Sequence, residues 1–247
     1  MISNYSDYEF TQKELLTVIA KGVILCCVVG FIFYRSLLGI IILLPYVYFY
    51  IKEQKNKYMI LRKQRLNIGF RDGIRCILAA LEAGYSLENA MGETITDLKL
   101  MYNDETEIIK EFLHIQRQVK NNVTIEEAME QFAIRSGIED IESFAEVLLT
   151  AKRTGGDIVK VIRTTSNAIS DKLEVKREII TMITAKQFEV TILKVIPFGI
   201  ILYLWLGSPG FLDPLYHNLF GIVFMTIILV LYIFINKVAN NITNIEI

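Results

Sequence analysis

The sequence predicts an all-α integral membrane protein, with four transmembrane helices in two pairs around a cytoplasmic helical bundle of about six helices. Three observations carry this reading. Nearly all the charge lies between two charge-poor ends. The middle stretch, 52–187, holds no proline and is rich in Glu, Lys, Leu, Ile and Ala, which favour helix. Its apolar positions recur at helical spacing, with no strand-like alternation.

The chain has 247 residues, 53% of them hydrophobic, with a mean hydropathy of +0.40 and a formal net charge of −1. That is somewhat above the roughly 45–50% apolar content of soluble domains, and the excess is unevenly placed. "LLTVIAKGVILCCVVGFIFY" (15–34) is apolar except for Lys21. "LLGIIILLPYVYFYI" (37–51), "FEVTILKVIPFGIILYLWL" (188–206) and "LFGIVFMTIILVLYIFI" (219–235) resemble it. About 20 apolar residues cross a bilayer core, with about 17 as the lower limit. The 37–51 run is short alone, and Ser36 with the aliphatic stem of Lys52 extends it. Asp7, Glu9 and Glu14 precede or open the first run and no small-residue cleavage pattern follows, so it reads as a retained span rather than a signal peptide.

Lysine and arginine set the orientation. Lys52, Lys55, Lys57, Arg62, Lys63 and Arg65 follow the second run, against Glu53 alone, whereas the segments at 35–36 and 207–218 contain only Arg35. The positive-inside rule places 52–187 in the cytoplasm. The organisation expected is therefore a cytoplasmic tail (1–14), two spans (15–51), a cytoplasmic domain (52–187), two spans (188–235) with an extracytoplasmic loop (207–218), and a cytoplasmic tail (236–247). Both termini lie inside. The cytoplasmic segment carries 21 basic and 21 acidic residues, a balance that argues against nucleic acid as a partner.

The helices of that segment follow in order. In "FRDGIRCILAALEAG", Phe70, Ile74, Ile77, Leu78 and Leu81 share one face, with Arg71, Asp72, Arg75 and Glu82 away from it. Gly84 ends the helix in a left-handed conformation. Ser86 caps the next, which turns Leu87, Ala90, Met91, Ile95 and Leu98 inward. A third starts at Asp104, with Glu105 and Glu107 favoured by the helix dipole, and stops at Asn121-Asn122. Thr124 opens the fourth as "TIEE", a capping-box form in which Glu127 reaches back to the Thr124 amide, and Gly137 ends it. The fifth buries Ile141, Phe144, Val147, Leu148 and Ala151. The sixth begins near Asp157, points Ile158, Val161, Ile162, Thr165, Ile169 and Leu173 inward, and meets no stop before Phe188, so it is expected to enter the third span. Pro197 should kink that span, and Lys194 should snorkel to the interface.

Chemistry is hard to find. "AKRTGGD" (151–157) has two glycines, as a phosphate loop would. Yet a helix precedes them and Asp157 follows where a lysine or serine would serve an anion. The stretch reads as a turn made by Thr154, Gly155, Gly156 and Asp157, with Gly155 closing one helix and Asp157 capping the next. Lys152 and Arg153 before it form a small basic spot, either solvated or a partner contact. "DETE" and "TIEE" are explained by helix starts and match no EF-hand loop. His114 and His217 are the two histidines, and Cys26, Cys27 and Cys76 form no CxxC pair. No catalytic residue, cofactor or metal site is expected, and the chain does not read as an enzyme.

The combination of "LEAGYSLENAM" (81–91), "NNVTIEEAMEQFAIRSGIEDIESFAEVLLTAKRTGGDIVKVI" (121–162) and "SPGFLDPLY" (208–216) resembles the type II secretion system F domain family, in the tight-adherence (TadB-like) arrangement. The resemblance implies a cytoplasmic-membrane platform for a type IV-like (Flp) pilus, embedded in membrane lipid. Such a platform links a hexameric secretion ATPase to insertion of pilin. The resemblance carries no catalytic residues, and a single F domain implies oligomerisation with itself or with other platform subunits. The alternative is a membrane receptor or transporter regulator whose helical domain binds a cytosolic partner.

Overall fold

The computed structural model describes residues 5, 7–36, 39, 41, 43–208 and 210–243. Among them every regular element is a helix: α1 (Gln12–Tyr34), α2 (Pro45–Glu82), α3 (Leu87–Met101), α4 (Glu107–Lys120), α5 (Ile125–Ser136), α6 (Glu139–Thr154), α7 (Ile158–Gly207), α8 (Asp213–His217) and α9 (Leu219–Thr243). The all-α class holds. The chain divides into two compact units, Met1–Glu9 with Lys55–Val175, and Phe10–Gln54 with Lys176–Ile247.

The first unit is a helical bundle around Phe70. This fully buried ring meets Phe132 edge-on at 5.9 Å and Phe144 at 5.4 Å. Such contacts between aromatic quadrupoles add about 0.5–1.5 kcal/mol each beyond area burial. Ile74, Ile77, Met91, Leu98, Ile109, Phe112, Ile115, Met129 and Ile141 complete the core, with Ile162 and Ile169 of α7. Leu78, Leu81, Leu87 and Leu173 pack at its edge.

Turn chemistry fixes the boundaries. Gly84 (φ 93) ends α2, and the Ser86 hydroxyl accepts the Asn89 N–H at the head of α3. Asn122 (φ 63) follows α4, and Gly137 (φ 56) closes α5. The Thr124 hydroxyl accepts the Glu127 N–H at 3.4 Å. The reciprocal bond, from the Thr124 N–H to the Glu127 carboxylate, which a full capping box would have, is not formed among the described residues.

Four sequence expectations need correction. Asp72 is buried, accepting hydrogen bonds from the Tyr102 hydroxyl and the Arg71 guanidinium; these partners make a carboxylate tolerable on that face. Val147 is exposed, because α6 turns its inward stripe through Phe144, Leu148 and Ala151 instead. α4 starts at Glu107 rather than Asp104: Asn103 forms a turn, accepting the Glu105 N–H on its side chain and the Thr106 N–H on its carbonyl. Finally, the N-terminal stretch is not merely a tail. Tyr5 is buried in the bundle core, its N–H donates to the Arg135 carbonyl, and its ring lies 4.6 Å under the Arg62 guanidinium.

The second unit holds α1, the C-terminal part of α7, α8 and α9. Among the described residues three stretches are long and apolar enough to cross a membrane: Gln12–Tyr34, part of Ile158–Gly207, and Phe220–Ala239. The further span expected at 37–51 includes residues outside those described, and α2 continues from Pro45 through the basic juncture without a break. Phe33 of α1 packs with Met225 and Leu229 of α9, and Phe198 of α7 stacks edge-on against Phe33 and Tyr232. The expected loop at 207–218 contains the short helix α8, tied back where the Tyr216 hydroxyl donates to the Ile32 carbonyl at 2.9 Å. Pro197 sits inside α7 without ending it. It leaves the Leu193 carbonyl without its usual amide donor. The Tyr232 hydroxyl donates to the next carbonyl, that of Lys194, at 3.0 Å.

One close approach in the bundle generates a test. A Cβ added at Gly73 would lie 2.5 Å from Cζ of Phe112, and one at Gly69 would lie 2.9 Å from Cβ of Ile108. α2 and α4 therefore meet where two glycines one turn apart remove the side chains. Gly73→Ala should cost on the order of 1–3 kcal/mol through overpacking. Thermal unfolding of the purified chain, followed by circular dichroism, should show a lower midpoint; an unchanged midpoint would contradict this packing.

Tyr102 supplies a second test. Burial, its hydrogen bond to Asp72 and the Asp72 charge push its phenol up to about 12, from an ordinary value of about 10. Because the folded value is raised, its stabilisation is complete below about pH 10 and is lost as pH rises through about 12. In an ultraviolet tyrosine titration Asp72→Asn should bring Tyr102 down toward the ordinary range, and Tyr102→Phe should remove that late component.

Candidate functional site

The joint between α6 and α7 is built from the end of one helix and the start of another. At the C-terminus of α6, Thr154 bonds back into its own helix, its hydroxyl donating to the Thr150 carbonyl at 2.9 Å. Gly155 follows at φ 68, and the Gly156 N–H donates to the Ala151 carbonyl at 3.0 Å, closing the helix as a glycine C-terminal motif does. Asp157 then accepts the Lys160 N–H on Oδ1 at 3.0 Å and caps α7. Every orphan group at this turn that carries one of these bonds is satisfied locally, and Gly155 has open space where a Cβ would be.

The basic spot before the joint divides. Lys152 pairs with the chain itself: its Nζ lies 2.7 Å from Oε1 of Glu126, a carboxylate on α5 that is only 4% exposed. Arg153 is exposed, and among the described residues it makes no ion pair. Sequence spacing alone could not separate the two, because Glu126 is distant along the chain and its burial depends on tertiary packing.

α7 leaves the joint as one helix of 50 residues, about 75 Å long at 1.5 Å per residue. Its first turns are fastened to the bundle at two places. Arg163 meets Glu82 at the end of α2, at 2.7 Å. Lys172 donates to Asp140 Oδ1 at 2.7 Å and to Glu139 at 3.1 Å. Asp140 is itself buried, and its other oxygen accepts from Asn67 of α2 at 2.7 Å. The hydrogen bond that Lys172 donates to Asp140 is the main cause holding its amine above the ordinary range. Beyond Val175 several apolar side chains of α7, Ile180, Met182 and Phe188 among them, are exposed. Glu189 pairs with Lys186 at 2.8 Å.

The acidic stretches serve structure. In "DETE", Asp104 pairs with Lys99, Glu105 with Lys110 and Glu107 with Arg62. In "TIEE", Glu126 pairs with Lys152. Among the described residues no group of His, Cys, Asp or Glu is placed to hold a metal ion.

The family model described as type II secretion system (T2SS), protein F, matches residues 74–206, more than half of the chain. The chain belongs to this family. The match runs from the last turns of α2 to the end of α7, so it takes in the whole joint and every helix between. As a member of the T2SS protein F family, the chain is a multi-pass membrane platform protein of the secretion and pilus systems, and such proteins work within assembly complexes. No curated protein and no solved structure matches the chain.

Two substitutions at the joint of this T2SS F protein separate backbone conformation from space. Gly155→Ala meets no atom but must hold positive φ, costing about 1–2 kcal/mol. Gly156→Ala meets only ordinary contacts, near 3.6 Å and 3.7 Å, and should change stability by less than about 0.5 kcal/mol. Likewise Lys152→Ala, which strands buried Glu126, should cost about 1–3 kcal/mol, while Arg153→Ala should be near neutral. Unfolding midpoints of the four variants check this ordering, and equal losses at Lys152 and Arg153 would overturn the assignment.

Proposed function

We propose that the protein is a non-catalytic platform of the cytoplasmic (inner) membrane for a tight-adherence (TadB-like), Flp-type pilus. Its bundle docks on a hexameric secretion ATPase, and the motion of that contact lifts pilin subunits from the lipid bilayer. The bundle lies in the cytoplasm with both termini, and four spans hold it in the membrane. The turn Thr154-Gly155-Gly156-Asp157 is a structural joint, with Arg153 as its exposed basic contact for a partner; Lys152 contributes its half-exposed charge there while holding Glu126.

The observation that carries the reading is the unbroken course of α7 from the joint to Gly207. A helix without glycine or proline between Asp157 and Ile196 resists bending, because each peptide is held by its own i to i−4 hydrogen bond. A displacement of its bundle end is then passed along the axis instead of being absorbed in a loop. The basic juncture at 52–65 and the neutral residue balance of 52–187 fit a cytoplasmic protein-docking domain and not a nucleic-acid binder.

The test is a flexible insertion. Four glycines placed after Lys186 should abolish surface pili while the protein still reaches the membrane and co-purifies with the ATPase. Normal piliation with the insertion would sink rigid transmission, and pili assembled after deletion of the gene would refute the platform role altogether.

A further inference from the structure

The second unit carries a groove of about 220 Å³ between the last turns of α1 and those of α7. Val28 and Phe31 of α1 and Leu202 and Trp205 of α7 wall it. These four side chains are 38–52% exposed, so the groove opens outward and is not filled by the chain itself. Both walls belong to helices that carry stretches apolar enough to cross a membrane. A slot there faces acyl chains and not water.

One end of the groove is polar. Arg35 caps the C-terminus of α1 in a left-handed conformation (φ 46) that residues other than glycine seldom adopt, and it lines the slot with Tyr216. Its guanidinium lies 5.5 Å from the centre of the Trp205 ring, and its Nη1 meets Oδ1 of Asp213 in α8 at 3.4 Å. Phe31 meets the same Trp205 ring edge-on at 6.3 Å. The Tyr216 hydroxyl is engaged by the Ile32 carbonyl, so the charged pair is what the site presents to a headgroup. Both members are half-exposed. Tryptophan and tyrosine beside an arginine at the end of an apolar span mark the headgroup level.

Charge decides which headgroup fits. Segments 35–44 and 207–218 carry Arg35 and Asp213 as their formal charges, with His217 neutral. Both α1 and α7 end here by their C-termini, each equivalent to about half a negative charge. The local balance is not positive, and a net anionic lipid would be repelled by Asp213 and by both helix ends. A zwitterionic phospholipid with a primary amine answers both side chains. Its phosphate meets the guanidinium, whose planar fork has donors beyond the one turned to Asp213, and its ammonium meets the carboxylate across a short ethylene link. A choline headgroup has no N–H for the carboxylate, and the Trp205 ring that would attract its quaternary ammonium already holds Arg35. The Arg35–Asp213 contact is long and half-exposed; an ion pair of that kind is worth little, so opening it for a lipid costs little.

We propose that this groove is a binding site for a phospholipid of the ethanolamine class. One acyl chain lies along the slot between Val28 and Trp205, with the phosphate on Arg35 and the ammonium on Asp213. The bound lipid joins α1, α7 and α8 at one level. The site works the same way in either leaflet and does not depend on which motor the platform serves, so its failure would leave the platform reading intact.

Trp205 is the only tryptophan in the chain, and it reports directly on the slot. The full chain is reconstituted in phosphatidylcholine vesicles that contain rising fractions of one lipid with brominated acyl chains, which quench tryptophan on contact. Phosphatidylethanolamine, phosphatidylcholine and phosphatidylglycerol are compared. Half-maximal quenching is expected at an ethanolamine-lipid fraction about two- to fivefold lower than for the other two. Asp213→Asn should remove that advantage and favour phosphatidylglycerol, Arg35→Gln should make the three lipids equivalent, and Arg35→Lys should keep the order. Equal half-quenching for the three lipids with the unaltered chain would mean annular contact only and would overturn the site. A preference of the unaltered chain for phosphatidylglycerol or phosphatidylcholine would overturn the headgroup assignment. An ethanolamine preference that survives both Asp213→Asn and Arg35→Gln would overturn the placement on this pair. The comparison with the unaltered chain needs no variant, so it decides the matter even if a variant fails to insert.

Discussion

A single buried carboxylate governs how the long helices are held. Asp140 heads α6 inside the bundle, where an unpaired charge would be costly. Its two oxygens are taken by Asn67 of α2 and Lys172 of α7. Removing either partner would leave a buried carboxylate oxygen unsatisfied, which typically costs about 1–3 kcal/mol. The apolar core would collapse around many helix arrangements of similar burial. Asp140 is satisfied by one, because both donors must arrive at the same place. Asp72, with Arg71 and Tyr102 on its two oxygens, repeats the device beside the same core, while Glu111 and Glu126 are each met by one cation, Arg135 and Lys152.

Local chemistry was legible along the chain, since its cause lies within a few residues. Gly84, Gly137 and Gly155 take positive φ, and Ser86 and Thr124 accept the expected amides. What was not legible depends on distant partners. Nothing near Asp72 announces that Tyr102 will cover it. Tyr5 sits in a polar stretch whose neighbours give no apolar pattern, yet its ring is buried beside Arg62 and Glu111, and that burial pushes its phenol up. The Gly69–Gly73 pair could have been noticed by its spacing, but spacing does not say that Phe112 will press against it. At the head of α4 the acidic run looked like a first turn, and one asparagine won the competition by folding the backbone on itself.

The candidate site was half legible for the same reason. A Thr-Gly-Gly-Asp sequence between two amphipathic patterns carries its own explanation. The neighbouring lysine and arginine look equivalent as letters. Only the packing of α5 against α6 brings Glu126 under Lys152 and leaves Arg153 in solvent, so one charge belongs to the fold and the other is available.

The joint has a consequence for how the chain can change length. At Gly155 there is nothing within 4 Å of the missing side chain, and the local bonds close each helix end independently. Added residues would enter an exposed turn, and lengthening a surface loop costs only about 0.6 kcal/mol per doubling. Insertions elsewhere in α7 would rotate every later side chain by about 100° per residue, misaligning the face that meets its neighbours. The turn is thus a point at the head of the long helix where the gene could gain codons without turning the residues that follow.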